Sequence, residues 1–174
     1  VDTFPEALYY ALREDPDVIM VGEIRDLETM RTGLAAAETG HLVIATLHAV
    51  DTVGAIDRMI AMFPVHEQDY VRIQLSLCLR AVVAQRLLPN TEGNGRVLAA
   101  ELLLNTPAVA SGIRMGQPTQ VFNALDTGQA MGMVAFDQSL VNLATNRHIT
   151  SEMALRMARN QKKVQEKLVR VGMR

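Results

Sequence analysis

The chain has 174 residues, of which 49% are hydrophobic and 21% are charged, and its formal net charge is −2. This length supports one domain, or a domain and a half, with a substantial core. The near-neutral balance excludes a general electrostatic attraction to nucleic acid or anionic lipid. The lone Cys78 excludes an internal disulfide and favours a cytoplasmic location. No apolar run reaches the roughly 18 residues that a membrane-spanning helix needs.

The first predicted element is a helix. Thr3 is its expected N-cap, Pro5 lies in its first turn, and Glu6 completes a capping box. The residue before Pro16 avoids the helical region of backbone space, so the helix should end there.

A short apolar strand follows over residues 18–21. Such an uninterrupted apolar run between turn signals predicts a strand of a parallel sheet, buried on both faces. Gly22 ends this strand and leaves Glu23 at its carboxyl edge, where open α/β sheets bind their ligands. A carboxylate there can hold a hydrated Mg²⁺ or orient a water. The alternative is that Glu23 only pairs with Arg25 or caps the next helix.

The next elements complete a strand–helix–strand unit. A helix is predicted over residues 27–39 with Gly40 as its stop, and a second buried strand over residues 41–48. Short links between them predict a parallel pair with a right-handed crossover. One edge of the sheet should therefore carry both Glu23 and His48.

Each histidine of this strand has a structural and a functional interpretation. His41, at the strand start, is expected to be a surface or capping residue. Metal binding by His48 is poorly supported, because no other ligand has usable spacing. The His48 imidazole is expected close to Glu23, where it can donate to phosphate oxygens. A helix capped by Asp51 and running to about Met62 follows it.

The middle of the chain predicts a helix from Glu67 and then a β-hairpin. Residues 81–88 and 96–104 are the two strands, joined by a turn-rich loop. Arg86 projects from the otherwise apolar first strand. A charge in such a run is expected to be paired or functional, because burying it alone is costly.

The last third contains only helix signals, with starts at Thr106, Pro118, near Phe136 and at Ser151. This predicts a domain over residues 1–105 and a helical subdomain over residues 106–174. The Lys and Arg residues near the C-terminus are expected to form a solvated helix face.

Two motifs resemble those of a known family. Residues 11–26, ending Val-Gly-Glu-Ile-Arg-Asp, are similar to the Walker B segment of the secretion motor ATPases, in the PilT-like branch that retracts type IV pili and drives twitching motility. Residues 37–48, ending Gly-His-Leu-Val-Ile-Ala-Thr-Leu-His, are similar to the His box of that family. Residues 111–116 lie where this branch has an Ala-Ile-Arg-rich motif, which is degenerate here.

The resemblance covers nearly the whole chain and implies a RecA-like P-loop NTPase core with a mostly parallel sheet. It also implies a homohexamer that hydrolyses ATP with Mg²⁺ and pulls pilin subunits back, working with an inner-membrane platform protein at the inner face of the cytoplasmic membrane. Glu23 corresponds to the Walker B glutamate near Mg²⁺ and the attacking water. His48 and His41 correspond to the His-box pair, of which His48 is expected to be catalytic. Four further residues are implied near the nucleotide or a subunit interface: His41, Arg86, Arg13 and Arg25.

The chain departs from the family in one respect. No Gly-x-x-x-x-Gly-Lys-Ser/Thr phosphate-binding loop occurs in it. The family has this loop, an acidic box and an N-terminal domain upstream, so the chain resembles the C-terminal portion of the motor. Alone it is expected to bind ATP negligibly and to hydrolyse none. A sheet without its P-loop strand also has an open edge, which favours association.

Other functions remain as alternatives. A naturally P-loop-less module that docks onto motor rings is one, and the upstream reading frame separates it from a motor. Extension and secretion motors typically carry a Cys-rich metal loop that one cysteine cannot build, so retraction is preferred. The neutral charge balance and the absence of tryptophan disfavour translocation of nucleic acid.

Overall fold

The computed structural model describes residues 4–14 and 16–172, and within that range the protein has nine α-helices and four β-strands. These elements form two compact units. Unit 1 comprises residues 1–80 and 105–121, and unit 2 comprises residues 81–104 and 122–174. In the part of the chain that is described, no helix combines the length and the apolar character needed to cross a bilayer.

Unit 1 alternates helices with two short strands. Its elements are α1 (Phe4–Ala11), a 3₁₀ turn (Leu12–Glu14), β1 (Val18–Val21), α2 (Leu27–Glu38), β2 (Leu42–Ala45), α3 (Thr52–Ala61), a 3₁₀ turn (Val65–Glu67), α4 (Gln68–Cys78), α5 (Pro107–Arg114) and the start of α6 (Pro118–Thr127). The predicted cap Thr3 and the predicted helix end at residue 15 lie outside the described residues.

The two strands of unit 1 pair in parallel, with Val18 opposite Leu42 and Val21 opposite Ala45. The predicted strand–helix–strand unit is therefore present. The prediction that these strands are buried on both faces is wrong. Val21 is buried, whereas Met20 on the other face is 74% exposed. α2 covers the face that carries Val43, which lies beside Gly33.

Side-chain caps fix where the helices of unit 1 begin. The Asp26 carboxylate accepts a hydrogen bond from the Thr29 amide at 2.8 Å, and the Asp51 carboxylate accepts one from Gly54 at 2.7 Å. Because α2 and α3 begin at these caps, only short loops separate them from the ends of β1 and β2. These two loops contain the candidate site.

Unit 2 packs a hairpin against helices. Its elements are β3 (Ala81–Pro89), β4 (Arg96–Leu104), the remainder of α6, a 3₁₀ turn (Gly128–Met131), α7 (Phe136–Thr145), α8 (Ser151–Met157) and α9 (Gln161–Arg170). The strands are antiparallel, as predicted, with Ala81 opposite Leu104. The single last helix predicted from Ser151 is wrong, because Asn160 caps a separate helix by accepting from the Lys163 amide at 3.0 Å.

The hairpin belongs with the C-terminal helices. Leu88 and Ala99 on its inner face share one buried cluster with Leu140 and Leu168. The compact units therefore differ from the predicted division at Asn105, because hydrophobic packing joins β3 and β4 to residues that come later in the chain. The division into residues 1–105 and 106–174 stays a prediction about the domains of the protein.

Candidate functional site at the carboxyl ends of β1 and β2

The loops that follow β1 and β2 run side by side. The Ile24 amide donates to the Thr46 carbonyl at 2.9 Å, and the Thr46 hydroxyl donates to the Gly22 carbonyl. The parallel pairing thus continues past the last strand residues. These two contacts hold the backbone on either side of Glu23 against the segment that leads to His48.

A carboxylate between an arginine and a histidine occupies this edge. Oε2 of Glu23 lies 2.7 Å from Nε and 2.6 Å from Nη2 of Arg25. Oε1 of Glu23 lies 3.0 Å from Nε2 of His48. The Glu23 side chain is 22% exposed, whereas those of Arg25 and His48 are 78% and 83% exposed. The sequence predicted the proximity of Glu23 and His48, and the pairing of Glu23 with Arg25 was the stated alternative; both contacts are present.

The charges around Glu23 favour its ionised form. The hydrogen bond from Arg25 lowers the pKa of Glu23 below its ordinary value, partial desolvation opposes this, and the charges of Arg25, His48 and Arg58 lower the pKa further. Conversely, the Glu23 carboxylate raises the pKa of Arg25. A carboxylate with this environment stays charged at neutral pH, and its surroundings attract anions.

Arg58 was not predicted from the sequence. It lies in the last turn of α3, seven residues after the capping Asp51. Its charge acts on the Glu23 carboxylate through the electric field, which no local sequence pattern signals.

The structure does not bring His41 or Arg13 to Glu23. His41 lies at the start of β2, whereas His48 follows its end, and Nδ1 of His41 is 3.1 Å from both the Ala36 carbonyl and the Thr39 hydroxyl. Arg13 is exposed in the 3₁₀ turn Leu12–Glu14. Their predicted roles at the nucleotide or a subunit interface stay predictions.

Arg86 belongs to unit 2, where it lies on the inner face of β3. Its guanidinium carbon lies 4.8 Å from the centre of the Phe136 ring, which is the geometry of a cation–π contact. The sequence predicted that this charge is paired or functional. The ring is a partner that accounts for its place in an apolar strand, and its predicted contact with a nucleotide stays a prediction.

The residues that are described form no complete metal site at this edge. Across residues 4–14 and 16–172, no group of three or more His, Cys, Asp or Glu side chains can hold a metal ion. Mg²⁺ usually keeps several waters and takes one or two carboxylates together with substrate phosphates. The single carboxylate of Glu23 fits that shared mode, in which phosphate and water complete the coordination.

A family model described as "Type II/IV secretion system protein" matches residues 2–172. The chain belongs to this family. The matched region includes both strand edges and both compact units. The family resemblance that the Walker B-like and His-box-like segments predicted is therefore confirmed.

Two curated relatives are similar to the chain over most of its length. A twitching motility protein of Neisseria gonorrhoeae is 49% identical over 158 residues, which cover 91% of this chain and 42% of the relative. The type IV pilus retraction ATPase PilT of Pseudomonas aeruginosa is 46% identical over 156 residues, covering 90% of this chain and 45% of the relative. The chain thus spans less than half the length of these relatives.

A crystal structure of the pilus retraction motor PilT with bound ADP has a similar fold. The TM-score is 0.83 at 44% sequence identity, and the match covers 95% of this chain and 46% of the solved one. Together with the parallel β1–β2 pair and the helical C-terminal part, this confirms the predicted α/β fold class.

Proposed function

We propose that this chain is the part of an ATP-hydrolysing pilus retraction motor that supplies the water-activating carboxylate. The observation that carries the proposal is the group of Glu23, His48 and Arg25 at the carboxyl edge of β1 and β2. The family of the chain supports the proposal, because a relative of similar fold binds ADP. We propose ATP and Mg²⁺ as its ligands and a homohexamer as the assembly of the whole protein.

Phosphoryl transfer leaves little covalent chemistry to the protein, so positioned charge does most of the work. Glu23 would orient the attacking water and accept its proton. His48 and Arg25 would donate to phosphate oxygens in the same edge. Bound Mg²⁺ would neutralise phosphate charge, with Glu23 as its protein contact in this chain.

The isolated chain is proposed to be inactive. It contains no Gly-x-x-x-x-Gly-Lys-Ser/Thr loop, whose backbone amides and lysine cradle the phosphates in P-loop enzymes. Isothermal titration of the 174-residue chain with Mg·ATP should therefore give no measurable heat of binding. A micromolar site would contradict this part of the proposal.

The proposed direction of work is retraction, through a platform protein at the inner face of the cytoplasmic membrane. Deleting the gene in its host should leave pili on the surface and abolish twitching. The wild-type gene should restore motility, Glu23→Gln should not, and Glu92→Gln is the matched control, because Glu92 lies in the exposed hairpin loop. Loss of surface pili on deletion would instead indicate a motor that assembles them.

A further inference from the structure

Each oxygen of the Glu23 carboxylate faces nitrogen atoms of a neighbouring side chain. Oε2 takes two N–H donors of one guanidinium, at 2.7 Å and 2.6 Å, and Oε1 faces the His48 imidazole at 3.0 Å. A general base must present an oxygen to the water whose proton it takes, within hydrogen-bond reach. Each carboxylate oxygen has two lone pairs, so a water that binds Glu23 in this arrangement shares an oxygen with Arg25 or His48. The pair with Arg25 is the resting arrangement.

The group that holds Glu23 is free to swing away from it. Arg25 lies two residues further along the same loop, and 78% of its side chain is exposed. Exposed ion pairs are individually weak, because water competes for both charges. Moving the Arg25 guanidinium therefore disturbs none of the buried core of unit 1.

A phosphate group offers the same guanidinium a stronger partner. The planar fork of arginine binds carboxylate and phosphate with the same two-donor geometry. A terminal phosphate carries more negative charge than one carboxylate, and an N–H of the His48 imidazole can donate to it at this edge. An incoming phosphate therefore competes with Glu23 for Arg25.

We propose that Arg25 is a positioning residue that engages one oxygen of the Glu23 carboxylate until a nucleotide phosphate draws its guanidinium off. This inference rests on the proposed ATPase function and adds a control step to it. Glu23 is then a less hindered base once phosphate holds Arg25, and the size of the effect is that of one exposed ion pair.

The resting contact is tested in the 174-residue chain by NMR of the arginine Nε–Hε groups. A held Arg25 should give a slowly exchanging Nε–Hε signal, and Glu23→Gln should weaken the protection because it removes the carboxylate charge. Glu92→Gln, in the exposed hairpin loop, is the control and should leave the signal unchanged. An Arg25 proton that exchanges as fast as that of a free arginine would overturn the proposal.

The release is tested in the full-length protein by single-turnover hydrolysis and KM. Arg25→Lys keeps a positive charge at this place but loses the fork that Glu23 and phosphate both engage. It should raise the single-turnover rate at saturating ATP about two- to fivefold, the range expected from losing an exposed ion pair, and it should raise KM less than the loss of the charge does. Arg25→Gln loses both contacts and should raise KM. A slower Arg25→Lys variant would contradict the proposal.

The two hypotheses fail in different ways. If the wild-type protein hydrolyses no ATP, or if Glu23→Gln keeps the full rate, the proposed function is wrong. The proposed release of Glu23 by Arg25 is then wrong as well. If Glu23→Gln abolishes hydrolysis while Arg25→Lys slows it, the ATPase stands and Arg25 is an ordinary phosphate ligand.

Discussion

Two glutamates, one in each compact unit, are held by arginines at the same distance and in opposite surroundings. Glu23 in unit 1 lies 2.6 Å from Arg25, and Glu101 in unit 2 lies 2.6 Å from Arg159. The Glu101 side chain is 1% exposed and that of Arg159 is 26% exposed. Water therefore screens the first pair, whereas the carboxylate of the second pair is shielded from it.

The second pair has the supports that a buried charge requires. Glu101 also accepts from the Phe136 amide at 3.3 Å, and a second guanidinium nitrogen of Arg159 lies 3.3 Å from its other oxygen. Arg159 lies over the rings of Phe122 and Phe136, at 5.5 Å and 5.9 Å from their centres. The comparison teaches that a Glu–Arg pair can move when it lies at an exposed edge, whereas a Glu–Arg pair with a buried carboxylate is a fixed part of the core.

The largest effect is expected for Glu101→Gln. The substitution keeps the shape but leaves the Arg159 charge without its carboxylate, which should destabilise unit 2 by about 3 kcal/mol. Hydrogen exchange of the β4 amides measures this directly. Glu92→Gln is the matched control and should leave these amides protected. Unchanged exchange in Glu101→Gln would mean that burial does not distinguish the two pairs.

A double-mutant cycle sharpens the comparison further. Arg159→Met removes the other partner of Glu101 and keeps the long apolar stem that packs on the rings. The pair Glu101→Gln with Arg159→Met should be less destabilising than the sum of the two single changes, by about 1–3 kcal/mol. Strict additivity, again by hydrogen exchange at β4, would show that the two residues do not act as one unit.

The sequence predicted the parts of this comparison that depend on local pattern. The apolar run before Gly22, the helix cap Asp51, and the rule that parallel strands share one carboxyl edge were enough to bring Glu23 to His48. The partner Arg25 followed from its nearness in the chain.

Contacts between distant residues could not be predicted in the same way. Glu101 and Arg159 are 58 residues apart, and no local pattern links them. Arg86 was recognisable as a charge in an apolar strand, but the ring of Phe136 as its neighbour depends on how the hairpin packs on α7. Burial of only one face of β1 likewise depends on which elements cover the sheet.

A smaller effect is expected for Arg25→Gln on stability. Because the pair is exposed, the substitution should leave hydrogen exchange of the β1 and α2 amides unchanged. A marked loss of protection there would show that the Glu23–Arg25 contact is structural, like that of Glu101 and Arg159.

The same substitution should change how Glu23 responds to pH. Arg25 is the main cause of its lowered pKa, so Arg25→Gln should raise that pKa toward the ordinary 4.5, as followed by carboxyl NMR. A carboxyl whose pKa is lower in the folded protein stabilises the fold above its unfolded pKa, and this is lost as pH falls through the folded value. In the wild-type protein, the stability that Glu23 contributes is therefore lost below about pH 4.5, and this loss should be smaller in Arg25→Gln.

The most direct test of the account is the effect of Glu23→Gln on turnover and on nucleotide affinity in the full-length protein. If Glu23 orients or deprotonates the attacking water, kcat should fall by about 10²–10⁴, while the Kd for Mg·ATP moves far less. An equal loss of affinity and turnover would contradict the account, because Glu23 would then act in binding alone.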